Sequence, residues 1–276
     1  MPEFETKRED VRALNGLHLW HAPMSNCSQR VRLAMAEKRI EWTGHPVDLA
    51  RNEQTSPEFL ALNPNGVVPV LVHDGKTYLE SNDIIAYLDA TFPGPQLKPA
   101  GEADRKQTAE LMAAAGSVQG ALKLLSFEFL FKIKAIKGED ELAAYAASGT
   151  DPKLVAFHQE LSAGRGFSQQ RITEAVRTMD HAFAQLEARL QNFLWLSGPS
   201  FGLADISWLV NVHRLTLMRY SLSRYPRLAD WHKRCMKRPN ARKEISGFEP
   251  AAMRAIFWIN AQVRRLKGSG INSFRH

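Results

Sequence analysis

The sequence predicts an α/β domain joined to an all-helical domain. Strand-like and helix-like segments alternate from Leu17 to about Phe92, in the order β-α-β-α-β-β-α. A proline-rich stretch from Pro93 to Pro99 then reads as a linker, and no convincing strand follows it. At 276 residues the chain is long enough for one large domain or two modest ones. A hydrophobic fraction of 44% and a charged fraction of 24% allow a sizeable core.

Each element has a local reason. LHLWHA (17–22) is short, aromatic and β-rich, and SNCSQRVRLAMAEKRI (25–40) carries Val31, Leu33, Ala34 and Met35 at mostly helical spacing. A serine at the head of that helix can cap its free N–H groups. A second strand over 41–49 and a short helix within 56–64 follow. Two β-rich runs meet at His73-Asp74-Gly75-Lys76, and Asp-Gly between such runs predicts a hairpin. The helix 82–92 closes the block against Pro93-Gly94-Pro95. A small mixed sheet must be covered by its helices, which gives αβα layers. Beyond the linker, 101–135, 168–192, 203–218, 226–239 and 249–267 read as helices. The polar, glycine-containing segment 136–167 is expected to be a loop with irregular helix.

Composition narrows the function. The net charge of +7 lies largely in WHKRCMKRPNARK (231–243) and the tail VRRLKGSGINSFRH (263–276). A nucleic-acid binder concentrates such charge on one motif or face, so no nucleic acid and no membrane are expected as partners, and an anionic small molecule fits equally well. Only Cys27 and Cys235 are present, which rules out a disulfide framework and suits a reducing compartment. The start of the chain lacks a secretory signal, and cytoplasm is the expected location. His18 and His21 stand three apart on a strand, on opposite faces, and no metal site is expected.

Chemistry concentrates in three strings: Ser25-Asn26-Cys27-Ser28-Gln29-Arg30-Val31-Arg32, Asn63-Pro64-Asn65-Gly66-Val67-Val68-Pro69-Val70-Leu71, and Glu80-Ser81-Asn82-Asp83-Ile84-Ile85. Leu203-Ala204-Asp205 and Pro226-Arg227-Leu228-Ala229-Asp230-Trp231 follow. In this order and spacing they resemble the cytosolic glutathione transferases from about Leu17 to Pro239. The resemblance implies a thioredoxin-like, glutathione-binding domain over 17–92, after an N-terminal extension 1–16. A linker (93–100), an all-helical substrate domain (101–248) and a basic C-terminal extension (249–276) complete it. Glutathione is the implied co-substrate, a small hydrophobic or aromatic molecule the second substrate, and a homodimer the implied assembly.

The residues support those roles separately. A thiolate is the nucleophilic form of glutathione, and a helix N-terminus favours an anion. Ser25 stands where the serine-type classes carry their hydroxyl; read alone, it is equally an ordinary N-cap. Cys27 can form a mixed disulfide, although the thiol-transferase-like classes place their cysteine where Ser25 stands; it is otherwise a half-buried small hydrophobe. Ser-x-Cys-Ser-x-Arg-Val-Arg also resembles the zeta class, whose second serine is Asn26 here, and an amide can still donate. The string around Val68-Pro69 predicts a cis bond and main-chain pairing of Val68 with the tripeptide. Ser81 at a helix start suits the γ-glutamyl carboxylate, and Glu80 its ammonium. The family's usual Ser or Thr cap before Ala204 is Gly202.

At the substrate end, Leu122, Leu124, Leu125, Phe127, Phe129, Leu130 and Phe131 form an apolar band that mostly packs core. Phe127 and Phe131, with Met24, are expected to line the substrate pocket. Lys132-Ile133-Lys134-Ala135, the following insertion and Gly164-Arg165-Gly166-Phe167-Ser168 resemble bacterial β-etherases, which also carry an asparagine at the place of Asn26. That resemblance implies glutathione-dependent cleavage of lignin-type β-aryl ethers. A generic detoxifying transferase, a zeta-like isomerase, and a non-catalytic binding or membrane-adaptor protein are the alternatives. The adaptor reading would use Met253, Ile256, Phe257 and Val263 on one helix face.

Overall fold

The computed structural model describes residues 3–148 and 151–275, so the outer domain bounds at 1 and 276 lie outside the described residues. The first half contains β1 (Glu3–Phe4), α1 (Glu9–Arg12), β2 (Leu17–His21), α2 (Asn26–Lys38), β3 (Thr43–Pro46), α3 (Pro57–Leu62), β4 (Val70–His73), β5 (Lys76–Tyr78) and α4 (Ser81–Thr91). The strands form one sheet in the order β1-β5-β4-β2-β3. β2 and β3 are parallel; the other pairs are antiparallel, with Leu19 opposite Leu71 and Trp20 opposite Val70. Strand alternation sends Leu17, Leu19 and Leu71 to the face covered by Val31, Leu33, Ile84 and Ile85 of α2 and α4. Trp20, Val70 and Val72 face Val11, Phe59 and Leu62 on the other side. The αβα layering predicted from the sequence is therefore present. Glu3–Phe4, inside the segment read as an extension, adds the sheet's edge strand by pairing with Thr77 and Tyr78.

The predicted hairpin turns at Asp74 and Gly75, both left-handed (φ 48° and 76°). A Cβ on Gly75 would lie 2.2 Å from the Arg12 carbonyl oxygen, so this position needs glycine for space as well as for dihedral.

The second half is helical: α5 (Glu102–Ser117), α6 (Gln119–Ser126), α7 (Lys132–Ala135), α8 (Glu139–Ala147), α9 (Pro152–Ala163), α10 (Gln169–Arg189), α11 (Leu203–Leu217), α12 (Pro226–Met236), α13 (Pro239–Glu244) and α14 (Ala251–Leu266). Two differences from the sequence reading matter. The helix predicted over 101–135 is interrupted at Val118 and again by a π-helical turn, Phe127–Phe131. Segment 136–167, expected to be mostly loop, holds α8 and α9. Asp151 caps Lys153 N–H and Pro152 opens α9, while Tyr145, Leu154, His158 and Leu161 are buried. Leu154, His158 and Leu161 stand at i, i+4 and i+7, a helical spacing that the polar, glycine-containing reading of the segment passed over.

On α14, Phe257 is buried while Ile256, Ile259, Val263 and Leu266 are exposed. Among the described residues, no helix is long and apolar enough to cross a membrane.

The helical domain is organised around Asp205, which is fully buried in the first turn of α11. Its carboxylate accepts from Leu196 N–H (2.8 Å), Ser197 N–H (3.1 Å), Gly202 N–H (3.0 Å) and Trp231 Nε1 (2.7 Å). Ser197 Oγ accepts from Ala204 N–H at 3.0 Å, supplying from outside the helix the cap that Gly202 lacks. A Cβ on Gly202 would stand 2.1 Å from Leu97 carbonyl oxygen, which explains the glycine. Asp205→Ala strands four donors, three of them backbone, at about 1–3 kcal/mol each. The variant is expected to lose more than about 3 kcal/mol in urea unfolding; a loss below about 1 kcal/mol would contradict this account.

Candidate functional site

The site forms where α2 and α4 begin. Ser25 is the N-cap of α2 (φ −70°, ψ 120°), and its Oγ accepts from Ser28 N–H at 3.2 Å. The cap uses the oxygen and leaves the hydroxyl proton available. Asn26 is buried, and its Nδ2 donates to Asn211 Oδ1 of α11 at 2.7 Å. Cys27 is half-buried; Gln119 Nε2 donates to its Sγ at 2.9 Å, with Arg30 Nη1 at 3.8 Å.

Behind these residues lies Arg30, almost completely buried and, among the described residues, without a carboxylate partner in hydrogen-bond contact. Its guanidinium donates to Ser81 Oγ (2.6 Å), Ser207 carbonyl oxygen (3.2 and 3.3 Å) and Asn211 Oδ1 (3.0 Å). Burial pulls the Arg30 pKa down, and the nearby Cys27 and Glu80 charges oppose that pull. Arg32 is equally buried: it donates to the carbonyls of Ala22, Pro23 and Glu244 and stacks 3.9 Å from the Phe248 ring. The loop leading into α2 is thereby held in place.

Across the cleft, Val68–Pro69 is cis, as the sequence predicts. Asn63 steadies that loop by donating to Val67 carbonyl oxygen at 2.7 Å and accepting from Asn65 N–H at 3.0 Å. Glu80 is exposed in a left-handed conformation (φ 61°) and Ser81 opens α4. One pocket of about 390 Å³ collects Ser25, Asn26, Cys27, Val68, Pro69, Glu80, Ser81, Met24, Phe127 and Phe131. The structure thus brings together all the residues singled out in the sequence. Of the apolar band, Leu122 also lines the pocket, whereas Leu124, Leu125 and Phe129 pack core.

Met24, Phe127 and Phe131 have a second side. They also border an adjoining cavity of about 610 Å³ with Phe248, Pro250, Met253 and the turn over 46–54. The π-helical turn places both phenylalanines in this partition.

Gln119, Lys123 and Arg214 also line the pocket and were missed in the sequence. Arg214 is buried, donates to Met24 carbonyl oxygen, and is pushed down to about 10 by desolvation, against the pull of Glu249 and Cys27. Lys123 lies 4.3 Å over the Phe157 ring and is lowered to about 8, again by burial, with Asp151 opposing. The only available signal was a cation amid apolar helical spacing, which cannot show what it faces. Arginines around a helix N-terminus make a place where a thiolate or carboxylate is favoured.

A profile described as glutathione S-transferase, N-terminal domain, matches residues 19–96, and one for the C-terminal domain matches 169–234. Glutathione S-transferase TCHQD of Arabidopsis thaliana is 25% identical, over 91% of this chain and 98% of its own. A zeta-class glutathione S-transferase of Euphorbia esula is 26% identical over 85% and 92%. Among solved structures, the β-etherase LigF of Sphingobium sp. strain SYK-6 superposes with a TM-score of 0.75 at 26% identity, covering 84% of this chain and 99% of LigF.

The two thiols differ sharply. Cys235 is fully buried and burial pushes its pKa well above the usual thiol range, whereas Cys27 borders the pocket. Ellman's reagent is expected to modify one thiol quickly in the native protein and both in denaturant. Cys27→Ser should remove the fast phase, and retention of that phase would show that Cys235 is reached instead.

Proposed function

Because this chain belongs to the glutathione S-transferase family, whose co-substrate is glutathione, we propose that its pocket ionises glutathione for attack on an aromatic electrophile, specifically a β-aryl ether next to a ketone. The observation that carries this reading is that two adjoining cavities share one wall. The pocket at the starts of α2 and α4, which carries Ser25, Asn26, Glu80 and Ser81, shares the Met24–Phe127–Phe131 wall with the larger cavity, which Phe248, Pro250 and Met253 also line. One compartment suits a charged tripeptide, and the other suits two aromatic rings.

The polar pocket fits glutathione by its donors. Ser81, opening α4 and backed by Arg30 at 2.6 Å, offers its hydroxyl to the γ-glutamyl carboxylate. Glu80 at the pocket edge suits the ammonium beside it. Val68 main chain pairs with the cysteinyl unit, as extended peptides pair with an exposed backbone. Ser25 donates its free proton to the sulfur, and the α2 terminus with buried Arg30 favours the ionised form. In the ether reaction sulfur bonds to the carbon carrying the aryloxy group, the carbon–oxygen bond breaks, and the phenolate takes a proton from water. The neighbouring ketone activates that carbon, so the protein chiefly aligns the reacting atoms. One Asn26 amide hydrogen is held by Asn211, which orients the other toward the pocket's reacting oxygens. The likeness to LigF supports the ether substrate.

Ser25→Ala should cut turnover by about 10²-fold or more while leaving glutathione affinity within a few-fold. The assay incubates each enantiomer of an α-keto β-aryl ether with enzyme and glutathione and measures phenol and thioether. Equal amounts of both products, from one enantiomer preferentially, are expected. Conjugation of an aryl halide without phenol release would leave the generic transferase, and full activity in Ser25→Ala would move the activating role to Asn26 or Cys27.

Members of this family are generally dimeric, and we extend two-fold pairing to this chain. Light scattering at micromolar concentration should return twice the chain mass of 31.1 kDa. A value equal to the chain mass would refute the dimer.

A further inference from the structure

The pocket at the starts of α2 and α4 holds a cation that the reaction described above does not use. Gln119, Leu122, Lys123, Ser126 and Phe127 all line it, at i, i+3, i+4, i+7 and i+8, so one face of α6 and the turn after it forms this wall. At one end of the face Gln119 Nε2 donates to Cys27 Sγ at 2.9 Å. At the other end Phe127 belongs to the wall shared with the larger cavity. Lys123 stands between them, about one helical turn from each. Its ammonium lies 4.3 Å over the Phe157 ring. Among the described residues it has neither a hydrogen-bond acceptor nor a carboxylate within ion-pair distance. The side chain is only partly buried, and the ammonium keeps accessible surface.

The other charges around Lys123 are committed elsewhere. Asp151 of α9 attracts the ammonium from a distance while its own carboxylate caps Lys153 N–H at 2.9 Å. His158, also on α9, is uncharged at neutral pH, because burial, then Lys123 and Lys137, lower it to about 4 against the pull of Glu141. Arg214 of α11 donates to Met24 carbonyl oxygen, and Glu80 stands at the pocket edge. Burial lowers Lys123 to about 8, so the ammonium still prevails at neutral pH. A partly desolvated ammonium without a counter-ion is costly, and an aromatic face offsets only part of that cost. Its natural partner is an anion that comes and goes. The neutral ether brings none, but forms one when the carbon–oxygen bond breaks.

We infer that Lys123 is a catalytic residue of this pocket, its ammonium donating to the oxygen of the departing aryloxide. The inference rests on the ether-cleavage reading above. As sulfur bonds to carbon, the electron pair of the breaking carbon–oxygen bond passes to the aryloxide oxygen, which accepts from Lys123 Nζ. The phenolate then leaves and takes its proton from water, so the charge on the lysine is unchanged. A donor fixed where charge develops stabilises the transition state more than the neutral ground state. Its benefit is greatest for aryloxides that are poor leaving groups.

The test separates binding from turnover. 4-Nitrophenol, whose anion absorbs visible light, is titrated into the full-length protein saturated with S-methylglutathione, across the pH range of its ionisation. Wild type should bind the phenolate at least about 10-fold more tightly than the phenol. Lys123→Met and, independently, Lys123→Gln should reduce that preference to less than about 3-fold, and Lys123→Arg should retain it. Turnover is then compared on ethers that differ only in the phenol released. Lys123→Met should lose about 10²-fold or more with unsubstituted phenoxide, and less than about 10-fold with 4-nitrophenoxide, which departs with little help. No phenolate preference in wild type, an undiminished preference in both neutral variants, or an equal loss with both leaving groups would overturn the assignment. So would a loss of glutathione affinity beyond about 10-fold in Lys123→Met, which would give the ammonium to the tripeptide. The phenolate preference is read without turnover, so failure of ether cleavage and failure of the anion site are separate results.

Discussion

Arg30 is the constraint around which the two domains are arranged. A guanidinium almost wholly out of water, with no carboxylate in contact, is costly unless its donors are well satisfied. Here the acceptors are neutral and come from three places: Ser81 on α4, and Ser207 and Asn211 on α11, up to 181 residues away. Satisfying one cation therefore forces the starts of α2 and α4 against the middle of α11. The Arg30 guanidinium lies next to Cys27. The same residue fixes the domain seam and, with Arg214 and Lys123, adds positive charge beside the pocket. Structural cost and functional use are coupled, as is usual where ionisable groups cluster at a site.

Arg32 and Asp205 extend the same logic outward. Arg32 ties the carbonyls of the loop before α2 to the end of α13, so Met24 and Ser25 approach the pocket on a rigid path. Asp205 performs the equivalent task within the helical domain by collecting loop, helix and indole donors on one carboxylate. Burial alone would raise the Asp205 pKa, and those hydrogen bonds oppose it. Met24, in the wall shared by the two cavities, is held by Arg214, which donates to its carbonyl oxygen. The partition depends on the π-helical turn, which rotates Phe127 and Phe131 relative to a regular helix.

Much of this was legible in particular residues. The aromatic, β-rich LHLWHA marked the interior strand β2. Asp74-Gly75 defined the hairpin, Ser25 marked a helix start that it does cap, and Val68-Pro69 drew attention to a bond that is cis. The strings that drew notice as chemistry all converge on one pocket. Segment 136–167 was misread as loop because its charges and glycines hid the spacing of Leu154, His158 and Leu161, while Tyr145 of α8 meets His158 of α9 edge-on. Gln119, Lys123 and Arg214 were also invisible, since a polar residue in a helical pattern reads as solvated until its neighbours are known.

The sequence by itself determined the layer architecture, the domain order and the position of each helix start around the pocket. These rest on periodicity, turn chemistry and capping, which act over a few residues and can be read locally. Only the tertiary structure decided that Arg30 meets Ser207 and Asn211, that Asn26 is held by Asn211, and that His158 and Gln54 line the larger cavity. The physical reason is that local pattern specifies which face of an element is apolar. The partner of a buried polar group is chosen instead by which distant donors and acceptors the packed layers bring within about 3 Å.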